Sequence, residues 1–158
     1  MMESYLDILE QSLVKKTEVL REISDYNNAQ EKLFNKEAVS LEELDENMSG
    51  KDELIRKLSK LDEGFETLYA RIKDQLLDRK DDYAVQIRRI QGLISKVTEQ
   101  SVSIQAQEVR NKKLIEDYFT GERQKIRQGR RTSKAAYGYY KNMSNTNVAP
   151  PQFLDQKN

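Results

Sequence analysis

Covalent chemistry in a protein generally needs a nucleophile, a proton carrier or a cluster of metal ligands, and this sequence is poor in all three. Its 158 residues contain no Cys and no His. That removes a cysteine nucleophile, a Ser-His-Asp triad, a His-containing zinc site and the commonest general base. No glycine-rich phosphate loop is present. Carboxylates are plentiful, but only Asp62 falls in the central apolar seam of residues 41–76. Buried there, it needs a cationic partner, and Lys51 and Lys16 are the candidates. A carboxylate that sets helix register is the expected role, so neither enzyme activity, nor a cofactor, nor a metal is expected.

The remaining chemistry is that of binding. Arg123, Lys125, Arg127, Arg130, Arg131, Lys134 and Lys141 are interleaved with Tyr137, Tyr139 and Tyr140. Basic residues among aromatics suit single-stranded nucleic acid. They equally suit a solvated helix end, where cations complement the dipole, or contact with a protein partner. The whole chain balances 27 basic against 27 acidic residues, so no global field favours nucleic acid or an acidic membrane. Contact with a protein is the expected use of this run, and no nucleic acid is expected. No apolar run approaches the roughly 18–20 residues of a membrane span, so no membrane insertion is expected. The opening Met1-Met2-Glu3-Ser4 lacks the basic and apolar regions of a signal peptide, which makes the cytoplasm the expected location.

These residues must be positioned by helices. Charged residues make up 34% and hydrophobic ones 37%, with 6 Gly and 2 Pro, a balance that suits long solvated helices. Residues 41–76 carry a heptad seam of Leu41, Leu44, Met48, Lys51, Ile55, Leu58, Asp62, Phe65, Tyr69, Ile72 and Leu76. Only a helix presents steps of three and four on one face. Leu54, Leu61 and Leu68 form a second row beside it, and the widened stripe predicts a helix lying between two others. Upstream, Leu6, Leu9, Leu13, Leu20 and Ile23 form a seam interrupted by Lys16 and turning polar at Asn27 and Gln30. Tyr5, Val19, Tyr26 and Leu33 run beside it, as expected where a straight helix drifts against a seven-residue pattern. Lys16, Asn27 and Gln30 are expected to snorkel or to set register. Downstream, Tyr83, Ile87, Ile90, Ile94, Val97, Ser101 and Ile104 precede a polar stretch at Glu108 and Asn111, then Ile115 and Tyr118. Val102, Val109 and Leu114 lie beside it.

The fold class is therefore all-α: an antiparallel bundle, or coiled coil, of three long helices at 4–36, 40–77 and 82–128. It forms one domain over 1–128, followed by a flexible, disordered tail at 129–158. Ser4 is a candidate first cap. Ser40 and Glu43 form a capping box, with Val39 and Leu44 placed for a hydrophobic staple. Asp78-Arg79-Lys80-Asp81-Asp82 is a turn, with Asp81 or Asp82 available to cap the third helix. The seam keeps phase across Gly50, which is thus predicted inside a helix, where Ala would add several tenths to ~1 kcal/mol.

Length adds one further expectation. If the third helix folds back on the second around residue 80, paired positions sum to about 159. Ser40 then lies opposite Phe119, and the third helix has no second-helix neighbour beyond Gly121. Leu114, Ile115, Tyr118, Phe119 and Ile126 stand at or past that end and are candidates for a helix-in-groove contact. Tyr137 and Tyr140 are candidate anchors further on.

Several stretches, taken in order, resemble the FlgN family of flagellar type III export chaperones in its clostridial form. They are Lys51-Asp52-Glu53-Leu54-Ile55, Leu61-Asp62-Glu63-Gly64-Phe65-Glu66, Leu68-Tyr69 and Asn111-Lys112-Lys113-Leu114-Ile115. The tail adds Ser133-Lys134-Ala135-Ala136-Tyr137, Tyr139-Tyr140-Lys141-Asn142-Met143 and Gln152-Phe153-Leu154-Asp155. The resemblance implies antiparallel helices with a long C-terminal segment. It also implies binding to the hook-associated (hook–filament junction) proteins before secretion, by way of a terminal amphipathic helix, and delivery to the flagellar export gate. A monomer or weak homodimer is expected. The alternatives are a structural coiled-coil adaptor that uses the long bundle face and, ranked lower, nucleic-acid binding through the basic aromatic segment.

Overall fold

The structure, a computed structural model, describes residues 1–123 and, beyond them, Gly138. Helix α1 spans Met2–Phe34, α2 Leu41–Asp78 and α3 Ala84–Arg123, and a single 3-10 turn, Lys80–Tyr83, precedes α3. The fold is all-α, and no strand occurs among the described residues. The predicted tail, 129–158 apart from Gly138, and the stretch 124–128 assigned to the third helix lie outside the described residues.

Local chemistry explains the boundaries. Tyr5 N–H donates to the Met1 carbonyl at 3.2 Å, so α1 begins at Met2 and Ser4 lies inside it, not at its cap. At the other end Asn35 N–H reaches the Lys32 carbonyl, a tightened last turn that closes the helix at Phe34. The Ser40 cap forms as expected, with Glu43 N–H donating to Ser40 Oγ at 3.2 Å. Between α2 and α3 the break is short. Arg79 N–H bonds the Leu76 carbonyl, and Asp82 N–H bonds the Arg79 carbonyl. The Asp82 carboxylate takes the Arg79 guanidinium at 3.2 Å, and that guanidinium lies 5.3 Å from the Tyr83 ring centre. A cation over an aromatic face thus holds a turn that has neither Gly nor Pro.

The chain divides into two compact units. Among the described residues, unit one comprises Met1–Arg21 and Arg56–Val102, and unit two comprises Glu22–Ile55 with residues 103–123. Each is a three-helix bundle. In unit one, Ser12 Oγ donates to the Leu61 carbonyl across α1 and α2, and Gln100 Nε2 donates to the Thr17 carbonyl across α3 and α1. Leu6, Leu9, Leu13, Leu20, Leu58, Phe65, Ile72, Leu76, Ile90 and Val97 are all buried there. Leu58 and Phe65 are each 2% exposed, which puts the predicted seam at the centre of this core. Thr17 and Ser101 are buried polar residues here, and Lys16 is the buried charged one among the described residues. Its ammonium meets Asp62 at 2.6 Å, which settles the choice of partner for that carboxylate.

In unit two, Lys51 pairs with Glu108, and their numbers add to 159, the register expected for α2 against α3. Gly50 lies within α2, as its phase predicts. The expected gain from Gly50→Ala, however, meets one close contact in the structure. A Cβ there would stand 2.7 Å from three atoms of the Tyr26 side chain, whose ring lies across the glycine. The side chain must swing away before Ala can fit, and its lost contact opposes the helix-propensity gain.

Candidate functional site

The candidate contact residues belong to unit two, and the site is best built from the loop end of that unit. There α1 finishes at Phe34, α2 begins at Leu41, and α3 runs past both. Leu33, Leu44, Met48, Ile115 and Phe119 form a buried apolar cluster, with Phe34 and Tyr118 packed against it. The aromatic rings interlock edge to face. Phe34 and Tyr118 lie 5.8 Å apart at 67°, and Tyr118 and Phe119 5.3 Å apart at 71°. Such pairs add about 0.5–1.5 kcal/mol beyond the area they bury. Burial pushes the Tyr118 phenol above its ordinary value, and the Glu122 carboxylate adds to the same shift.

This places the sequence candidates in different situations. Ile115 and Phe119 are 2% and 4% exposed and are spent inside the cluster. The expectation that they stand unpaired at the end of the core is corrected. Pairing α3 with α2 alone left out α1, whose last turn supplies Leu33 and Phe34 and covers them. Leu114 and Tyr118 are half-buried, and Tyr118 packs against the cluster. Ile126, Tyr137 and Tyr140 lie outside the described residues, as does the basic run beyond Arg123.

Next to this cluster the core of unit two changes character. Asn27 Nδ2 donates to Gln107 Oε1 at 3.2 Å, and Gln107 Nε2 donates to Ser24 Oγ and Asn28 Oδ1. Asn111 Nδ2 reaches both the Asn27 carbonyl and Gln30 Oε1. Asn47 Nδ2 donates to the Tyr26 carbonyl at 2.9 Å. Lys51 is fully buried, and its ammonium is held 2.6 Å from Glu108. Burial lowers its pKa below the usual lysine range, against the opposing pull of the Glu108 charge and hydrogen bond. Sequence reasoning found both polar stretches but not that they meet, and it missed Gln107. The available signal was that the α1 and α3 seams each turn polar within one pair of turns.

Among the described residues no group of three or more metal-ligating side chains comes together, and no helix is long and apolar enough to cross a membrane. No family model, curated relative or solved structure matches the chain.

Proposed function

We propose that this chain is a cytoplasmic export chaperone of the flagellar FlgN kind. In this reading it holds the terminal amphipathic helix of a hook-associated protein before type III secretion and delivers it to the export gate. The observation that carries the reading is the aromatic end of unit two, where Tyr118 and Phe34 pack against an apolar cluster of helix-in-groove composition. The basic residues from Arg123 onward would steer an acidic cargo face and contribute less individually. An affinity between micromolar and nanomolar, about −8 to −12 kcal/mol, permits both capture and release.

Calorimetry with separately purified hook-associated proteins tests this, using the full chain and a truncation after Thr120. The truncated bundle should stay folded, because the buried apolar side chains of the described residues all lie before Thr120. Cargo binding should largely disappear with Ile126, Tyr137 and Tyr140, since losing one aromatic anchor alone costs ≥ ~2 kcal/mol. Full-strength binding by the truncated chain would confine the site to the bundle and leave the residues after Thr120 without a part in it. The second reading, a coiled-coil adaptor, draws on Val102 and Val109, which lie seven residues apart on α3 and are 61% and 70% exposed. It predicts a stable oligomer in sedimentation.

A further inference from the structure

The buried position of Ile115 and Phe119 does not suit a preformed docking surface, and unit two shows how they could be uncovered. The segment of α1 from residue 22 to Phe34 buries two apolar side chains, Ile23 and Leu33. Between them it buries Asn27 and Gln30, and its α3 partners there are the amides of Gln107 and Asn111. Amide hydrogen bonds exchange readily for water, so each holds a helix less firmly than a buried leucine does. Asn27 Oδ1, within this layer, is buried with no protein donor among the described residues, which weakens the layer further. By contrast, in this unit α2 buries four apolar side chains, Leu44, Met48, Leu54 and Ile55, and α3 buries three, Ile104, Ile115 and Phe119. Of the three helices in unit two, α1 buries the fewest apolar side chains among the described residues, and its last turn packs on the apolar cluster.

We infer that α1 residues 22–34 act as a removable cover, and that the groove beneath it on α2 and α3 receives an amphipathic helix from a partner. The occupant carries the pattern of the segment it displaces: two adjacent apolar residues toward the loop end of the groove and amide side chains opposite Gln107 and Asn111. The identity of that partner as export cargo rests on the chaperone reading, but the cover itself does not. The apparent affinity for an entering helix equals the intrinsic one multiplied by the fraction of molecules that are open. A substitution that loosens the cover should therefore tighten binding.

The test uses the full chain and a synthetic peptide of its own residues 22–36, which carries the complement of the groove. In hydrogen exchange on the free protein, amides of 22–34 should exchange at least about tenfold faster than buried amides of α1 within Met1–Arg21. Leu33→Ala should accelerate exchange in 22–34 alone and tighten peptide binding at least about fivefold. The triple variant Asn27→Leu/Gln107→Met/Asn111→Leu should do the reverse, slowing exchange and weakening the peptide; if it does not fold, the Leu33→Ala arm decides alone. Uniform exchange along α1, or a Leu33→Ala protein that binds the peptide no better, would overturn the cover. A Leu33→Ala protein that dimerises without taking peptide would make a second copy the occupant, and also overturn it. If the peptide binds as stated but no purified hook-associated protein does, the cover stands and the chaperone reading fails.

Discussion

Both units are three-helix bundles cut from the same helices, yet their interiors are built differently. Unit one is aliphatic and aromatic through its centre, and its one buried lysine, Lys16, sits against a partly exposed Asp62. Unit two buries Lys51 fully together with a layer of amides, and gathers Leu33, Leu44, Met48, Ile115 and Phe119 into an apolar cluster at the loop end. A dry core resists opening because each side chain removed from it leaves a cavity. A polar core joins helices through bonds that water can replace. Stability is thus concentrated in unit one, and adaptability in unit two.

The largest effect expected from this contrast is at Leu58. Leu58→Asp places an unpaired carboxylate at the centre of unit one and should abolish its cooperative melting in circular dichroism. Unchanged helicity and melting temperature would mean that the seam is not the core. Next comes the buried ion pair of unit two. Glu108→Met alone takes the carboxylate away from the buried Lys51 ammonium and should cost about 3–5 kcal/mol, whereas Lys51→Met/Glu108→Met should be neutral or stabilising by about 1–4 kcal/mol. Urea denaturation of the three proteins decides, and a double variant as weak as the single one would show the pair to be worth its burial.

The same lysine gives unit two a pH signature. Its native pKa lies below the unfolded value, so between the two the unfolded chain binds the extra proton and stability should rise with pH. Lys51→Met should remove that rise in alkaline urea titrations. An unaltered slope in the variant would mean that another group carries it. The smallest effect separates two glycines of α2. Gly64 has open space where a Cβ would go, so Gly64→Ala should stabilise by up to ~1 kcal/mol. Gly50→Ala, which displaces the Tyr26 ring, should give no such gain. Equal gains by thermal melting would show that the ring contributes nothing there.

What the sequence made legible was whatever repeats along one helix. The burial of Leu58, Phe65 and Leu76 agrees with an unbroken three-four spacing, and the pairing of Lys51 with Glu108 comes from where the chain turns back. Asp62 declared its need for a cation because a lone carboxylate in an apolar seam must have one. The unread features all depend on α1 against its neighbours. Its partners on α3 lie 79 to 84 positions further along the chain, an offset that no local pattern sets. Without that offset, Gln107 and Asn111 do not meet Ser24, Asn27 and Gln30, and Ile115 and Phe119 look uncovered. Tyr26 across Gly50 is a single long-range contact and leaves no periodic trace.

If unit two is the half that meets a partner, amide hydrogen exchange will show it most directly. The full chain would be followed alone and with a saturating purified hook-associated protein. Protection should then change only in unit two, with residues 22–34 losing protection as they are displaced and residues 103–119 gaining it. Protection gained within Met1–Arg21 and Arg56–Val102, with unit two unchanged, would contradict a partner site in unit two.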